Sequence, residues 1–535
     1  MSRGGQSTTL LVGGTVLADP ESDAVTADVL VRGGVIDRVG DLSRERADET
    51  IDCTGRWILP GFIDAHSHAD GTVFSRDVQE ANLRQGVTTV ITGQDGVGFA
   101  PGSGAYATEY FGSLNGTHPT YTGGGVAELL AGYDAATALN VGYLVPAGTV
   151  RHEVVGDEAR PATGDELAEM AALVEVGMRE GALGLSTGLD YVPGIFATTA
   201  ELTALAVPVA RHDGVHVSHM RGGYEHASGD GIAELQTIAE ASGVRTHVSH
   251  FHGPAQLVRR LVDEANDRIE LTFDAYPYRR GFTLLAMPVL PPALLALGTS
   301  HVVATLTDSR SRSALLESWA AVVAARPDMG PKWAEHATIA HAGSEQYAWT
   351  GGMTLAEAAG RAARDPLELA MLILAASGLQ TTAVIANPRQ RETSELAEVF
   401  RHPRHVAGSD GIHLGSHPHP RAWGTFARFL ARHVRDRGDL SLGEAVAHLS
   451  TTAAETMRLG ARGRIRTGWI ADLAIVDVAE VADHADYARP RTLATGIDDV
   501  LVGGVPVLRA GALTGATPGT GIRRSHDMKH EGGTR

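Results

Sequence analysis

Trp57-Ile58-Leu59-Pro60-Gly61-Phe62-Ile63-Asp64-Ala65-His66-Ser67-His68 is the stretch from which the rest of the chain is read. It is an apolar run of the length of a buried strand, and it ends on two histidines at spacing two. Residues two apart in an extended backbone project to the same side, so the imidazoles of His66 and His68 can grip one ion. An isolated His-x-His is a weak signal, because a half-buried strand that merely ends in histidines looks the same. Further strand-end histidines downstream add weight to the first reading.

Val215-His216-Val217-Ser218-His219 and Thr246-His247-Val248-Ser249-His250 repeat the pattern, each an alternating strand that ends in Ser-His. They lie about 30 residues apart, the length of one βα unit, so two neighbouring strands would bring His219 and His250 to one rim. Neutral imidazole is a good zinc ligand, and catalytic zinc keeps one coordination position for water. His216 and His247 sit three residues before these histidines and face the other way, which suits a core position or a contact behind a ligand. Arg404-His405-Val406-Ala407-Gly408-Ser409-Asp410-Gly411 is a further apolar strand, ending in an aspartate. A carboxylate there can take a proton from metal-activated water and pass it to a leaving nitrogen. The plainer alternative for Asp410 is a turn aspartate before glycine.

Between residues 61 and 459, short apolar strands alternate with helix-length stretches, as in parallel βα units, and several of the strands end in His, Asp or Ser-His. In a barrel of such units, the C-terminal strand ends assemble the active site. Residues 1–60 and 460–515 have a different texture, with short β-branched runs between Gly- and Asp-rich turns, and predict a small β-domain built from both termini. Residues 281–343 fit the alternation poorly and read as an inserted lid. Residues 516–535 are rich in glycine and charge and read as a disordered tail.

Composition excludes several function classes. The chain has 535 residues, 43% hydrophobic and 20% charged, with no apolar run near the ~18 residues that span a bilayer. A net charge of −18 argues against a nucleic-acid partner. One cysteine, Cys53, permits no intrachain disulfide, and no secretory signal opens the chain, so a cytoplasmic location is expected. Lys332 and Lys529 are the only lysines, which removes mechanisms that need a lysine on a barrel strand.

The Pro60-to-His68 stretch, Ser249-His250, Gly408-Ser409-Asp410-Gly411 and the closing Gly463-to-Asp477 segment together resemble the amidohydrolase superfamily. Gly86-to-Gly93, Gly184-to-Gly194 with Tyr191, Asp274-Ala275-Tyr276-Pro277-Tyr278 and His419-Pro420-Arg421-Ala422-Trp423-Gly424 are similar to the N-acyl-D-amino-acid deacylases, or D-aminoacylases, in order along nearly the whole chain. The resemblance implies a distorted (β/α)8 TIM barrel with a β-sandwich from both ends. It also implies zinc and hydrolysis of the acyl amide of a small-molecule substrate, an N-acyl-D-amino acid. By matching position, His219 and His250 would hold a tighter zinc, His66 and His68 a weaker second divalent site, and Asp410 would be the general base and acid. Tyr191 would either act at the carbonyl or shape the pocket.

Two departures stand out. Where the family commonly has Asn-Cys-Gly after the second strand, this chain has Gln94-Asp95-Gly96. Asp95 is expected to replace the thiolate as a harder oxygen ligand, loosening the preference for zinc; the alternative is a turn residue only. Where the family grips the substrate carboxylate with a lysine after the metal histidine, this chain has His252, while Tyr276 and Arg421 remain to bind it. Arg279 and Arg280 either compensate for the lysine or face solvent. The uncharged run Phe282 to Leu297 predicts a pocket for apolar side chains, with acetyl as the expected acyl group. The altered Asp95 and His252 positions also fit two other functions: another amidohydrolase reaction, on a cyclic amide or D-dipeptide, and a binding protein without turnover.

Overall fold

In the computed structural model, which describes residues 7–524 apart from 328 and 390, eight parallel strands alternate with helices. They are β1 Phe62–Asp64, β2 Val87–Thr92, β3 Asn140–Pro146, β4 Gly184–Gly188, β5 Val215–His219, β6 Arg245–Val248, β7 Leu271–Ala275 and β8 His405–Ala407. They lie side by side in chain order. Nearly every strand residue is buried, as in a parallel sheet covered by helices. The helix Ala255–Asn266 shows how the cover forms: Ala255, Val258, Leu261, Val262 and Ala265 are buried at helical spacing, so one apolar stripe meets the barrel.

The two ends of the sheet meet just beyond the strands. Ala65 N–H donates to Ala407 O at 3.2 Å, Asp410 N–H to His66 O at 2.8 Å, and His68 N–H to Gly411 O at 3.0 Å. The barrel therefore closes through the same residues that carry the first two histidines and the strand-end aspartate. This is the α/β barrel expected from the alternation.

Both termini contribute to a separate nine-stranded sheet, joined where Trp57–Pro60 pairs antiparallel with Leu473–Val476. Ile36 N–H reaches Trp469 O at 2.8 Å and Ala471 N–H reaches Gly34 O at 3.0 Å, so the sheet curls until its two halves face each other. Leu11, Val29, Ile36, Ile58, Leu473 and Leu501 fill the space between them. The β-sandwich is thus one continuous sheet folded over its own core.

The insertion is longer than the expected 281–343. Arg280–Leu284 pairs antiparallel with Thr382–Ala386, which pairs with Ala337–His341. Helices Leu355–Ala362 and Pro366–Ser377 belong to this unit's own core. Their apolar pattern is that of ordinary barrel helices, so only the return of Thr382–Ala386 to Arg280–Leu284 reveals where the insertion ends. Leu285, Ala286, Val289 and Leu290 point into the same core. The apolar run expected to line a substrate pocket is therefore divided: these four residues hold the insertion together, whereas Leu284, Phe282 and Met287 pack with the barrel core and the Phe282 ring stands 5.9 Å from the Arg421 guanidinium.

Residues 516–524, expected to begin a disordered tail, are packed. Ile522 N–H donates to Val141 O at 2.8 Å, and Ile522 is buried against Leu144, Leu183 and Val215. One apolar residue among polar neighbours is too short a pattern to signal this. The remainder of that tail, 525–535, lies outside the described residues. Among the described residues no helix is long and apolar enough to cross a membrane.

Candidate active site

His66 and His68 leave β1 on the same side, and residues after β2, β6 and β8 converge on them. His66 Nε2 lies 3.7 Å from Asp95 Oδ1 and 3.8 Å from Asp410 Oδ1. His68 Nε2 lies 3.5 Å from Asp95 Oδ2 and 3.4 Å from Asp410 Oδ1. His250 Nε2 is 3.7 Å from Asp95 Oδ1. Two groups have donor atoms that all lie within 4.8 Å of one another: His66, His68 and Asp410, and His66, Asp95 and His250. Asp95 touches histidines of both groups, so its two oxygens span the pair.

The backbone that delivers these groups is unusual at three points. Asp95, His250 and Asp410 have φ of 54°, 33° and 49°, a region that residues with a side chain seldom adopt and that recurs at functional sites. Asp95 is admitted by a glycine opposite it: a Cβ on Gly188 would lie 2.0 Å from Asp95 O.

His219 stands one step outside the two groups. Its Nδ1 is 3.2 Å from His250 Nε2, and its Nε2 is 3.2 Å from Asp190 Oδ2, while Asp190 Oδ1 accepts from Gly222 N–H at 2.8 Å. Tyr191 Oη lies 3.3 Å from His219 Nδ1 and 3.5 Å from Asp95 Oδ2. Burial beside Asp95 and Asp410 pushes the Tyr191 phenol well above its ordinary range, so it is a donor.

Arg421 is almost fully buried. Its Nη2 forms an ion pair with Asp410 Oδ2 at 2.7 Å, and none of Nε, Nη1 and Nη2 has a hydrogen-bond partner. Its guanidinium stacks 4.6 Å from the Tyr276 ring centroid. Tyr276 and Arg421 are therefore brought together with Asp410. His252 is not part of that group: it is exposed, its ring 4.7 Å from that of Tyr224 and its Nδ1 3.1 Å from His250 O. Of the two further arginines, Arg279 is exposed and reaches Arg391 O, and Arg280 stacks on Tyr487.

Three residues at the site were not singled out from sequence. Asn115 Oδ1 lies 3.0 Å from His68 Nδ1, Asp190 holds His219, and Asp274 Oδ2 lies 3.3 Å from His66 Nδ1. Asp274 lies near the C-terminal end of a barrel strand, as Asp410 does, and that was the available signal; Asn115 ends a helix and carries none.

Burial opposes charge on Asp95, yet His66, His250 and His68 hold it well below the usual carboxylate range. Asp410 is likewise buried but lowered, by Arg421 first and then by the histidines. Burial lowers the His68 pKa, but hydrogen bonds to Asp410 and Asp95 outweigh it and raise the value to about 10. The buried atoms His66 Nε2 and Asp95 Oδ1 nevertheless have no hydrogen-bond partner. Buried polar atoms of this kind call for a bound group, and a set of imidazole and carboxylate donors this close fits a divalent cation.

A sequence model of the amidohydrolase family matches residues 49–508. The chain belongs to this family. This amidohydrolase is 29% identical over 524 residues to a D-aminoacylase of Alcaligenes xylosoxydans xylosoxydans, covering 96% of this chain and 97% of that one. A solved D-aminoacylase structure, described for its binuclear metal centre, superimposes with a TM-score of 0.79 at 28% identity over 96% of this chain and 99% of the other. The N-acyl-D-glutamate deacylase of Bordetella bronchiseptica, solved with zinc and a phosphonate mimic of the tetrahedral intermediate, superimposes with a TM-score of 0.81 at 26% identity, over 97% and 100% of the two chains.

Proposed function

We propose that this amidohydrolase hydrolyses the acyl amide of N-acyl-D-amino acids, R–CO–NH–R′ + H2O → R–COO⁻ + R′–NH3⁺. The observation that carries the reading is the meeting of His66, His68, Asp95, His250 and Asp410 within a few ångströms, with the Arg421 guanidinium against Asp410.

His66, His68, Asp95, His219 and His250 would hold the cation, with Asp95 shared between two positions. Zinc is the cation assigned, since imidazole-rich sets favour it and the Bordetella relative was solved with it. When bound, it would supply Lewis-acid polarisation of the amide carbonyl and a bound water of lowered pKa. Asp410 takes the proton of the attacking water and returns it to the departing nitrogen as the C–N bond breaks. Tyr191 donates to the carbonyl oxygen. Arg421 keeps Nη2 on Asp410 and turns Nε and Nη1 to the substrate carboxylate, with Tyr276 backing its plane.

His252 belongs at the rim, touching the far end of the substrate rather than its carboxylate. Leu285, Ala286, Val289 and Leu290 belong to the insertion's core, whereas the Phe282 ring 5.9 Å from the Arg421 guanidinium supports an apolar side chain on the substrate. Substrates are small molecules, nucleic acid is not among the partners, and a single cysteine supports a cytoplasmic place.

Hydrolysis of paired N-acetyl-D- and N-acetyl-L-amino acids, with cyclic imides and D-dipeptides alongside, tests the assignment. Preferential release of free D-amino acids supports it; faster turnover of a cyclic imide or a dipeptide overturns it.

A further inference from the structure

Asp274, at the penultimate position of β7, is fully buried and touches three histidine residues. Oδ1 accepts the backbone N–H of His250 at 2.9 Å. Oδ2 lies 3.3 Å from His66 Nδ1 and 3.1 Å from His247 Nε2. The strand that closes the barrel leaves room for it, since a Cβ on Gly408 would stand 2.7 Å from Asp274 Oδ1 and 2.9 Å from His66 Cβ. The carboxylate is thus wedged behind the donor set, on the side of His66 opposite Asp95 and Asp410.

Each contact has a consequence for the front of the site. An ionised carboxylate only accepts hydrogen bonds, so the His66 nitrogen facing it must carry the proton. With Nδ1 protonated, the lone pair of neutral His66 is on Nε2, which lies near Asp95 and Asp410 and has no hydrogen-bond partner of its own. His250 has a left-handed φ of 33°, which needs support from its surroundings. The bond from its N–H to Oδ1 supplies it at the residue itself. His247 Nδ1 is 2.8 Å from Thr272 Oγ1, so the third histidine braces the carboxylate from the far side.

We propose that Asp274 is a positioning residue that sets the tautomer of His66 and holds the backbone of His250, so that both Nε2 atoms face one cation. This rests on His66 and His250 being metal ligands. Carboxylates behind metal-bound histidines typically change affinity or activity by about 10- to 100-fold when removed. Asn at this position is a sharp probe. Its oxygen can still accept from His250 N–H, but its amide nitrogen donates toward His66 Nδ1 and moves the ring proton to Nε2, where it blocks the cation.

The test is a double-mutant cycle on cobalt(II) affinity, measured by chelator competition for wild type, D274N, H66A and the double variant, with the melting temperature of each cation-free protein as the control for folding. D274N is expected to weaken cobalt binding by about 10- to 100-fold. In the H66A background it should cost no more than about twofold, the scatter between independent sites. An equal loss in both backgrounds overturns the proposal, and so does a D274N protein that binds cobalt normally. If H66A itself leaves the affinity unchanged, the ligand reading falls and takes the proposal with it. Should D274N not fold, proton NMR of the zinc-loaded wild type decides: a His66 Nδ1–H signal, identified by its loss in H66A, should be protected from exchange, and rapid exchange would overturn the proposal.

Discussion

Asp410 N–H donates to His66 O at 2.8 Å, so the hydrogen bond that helps close the barrel also ties the strand-end aspartate to the first histidine of the site. Barrel closure and part of the site thus share the same backbone hydrogen bonds. His66, His68 and Asp410 sit at the seam where the first and eighth strands meet, and Asp95 and His250 reach them from the second and sixth.

Asp410→Asn should leave cation content nearly intact, because His66, His68, Asp95 and His250 remain, while turnover falls by about 10²- to 10⁴-fold, the usual contribution of a general acid or base. Metal analysis with steady-state kinetics checks both halves. Retained turnover would dismiss Asp410 as the proton carrier.

Asp95→Ala should reduce cation affinity, since Asp95 oxygens reach His66, His68 and His250. Asp95→Cys should bind zinc while shifting selectivity away from manganese, because thiolate is the softer ligand. Competition dialysis against both ions measures the shift. Unchanged affinity in Asp95→Ala would return Asp95 to a turn residue.

Leu285→Ala should destabilise the fold by about 2–5 kcal/mol, as a buried leucine truncated in a core does, and leave the ranking of apolar and acidic substrates unchanged. Denaturant unfolding and competition assays report the two outcomes. A reordered ranking would mean that the run 282–297 does line the substrate pocket.

His118 lies among Phe74, Phe99, Tyr121 and Tyr133, with ring centroids between 5.1 and 6.0 Å, and burial lowers its pKa to about 4. In the unfolded chain histidine binds its proton near about 6.5. Between these values the unfolded state holds more protons, so stability falls as pH drops through that window. His118→Phe should therefore lose less stability than wild type on acidification from about pH 7 to about pH 4.5, by at most about 1.4 kcal/mol per pH unit. Parallel stability curves would contradict this.

The strand-end histidines were legible because extended backbone has a period of two, and the spacing of His219 and His250 matches one βα unit. The alternation of strands and helices was legible because strands buried on both faces read as short apolar runs, although Asn140–Pro146 was not among the strands read. The role of Asp274 is not legible in its own motif, because its partners His66, His247 and His250 come from other strands. The insertion's end at Ala386 and the burial of Ile522 also depend on pairings between distant segments. The apolar run from Phe282 was legible only in part, because apolarity signals burial without saying against what: Phe282 stands near Arg421, while Leu285, Ala286, Val289 and Leu290 enter the insertion's core.

The most direct test of the central claim is a crystal of the zinc-loaded protein measured at the zinc absorption edge. Anomalous density is predicted among His66, His68, Asp95, His250 and Asp410, with each occupied position touching Asp95. Zinc bound only elsewhere, or none bound at these five residues, would contradict the account.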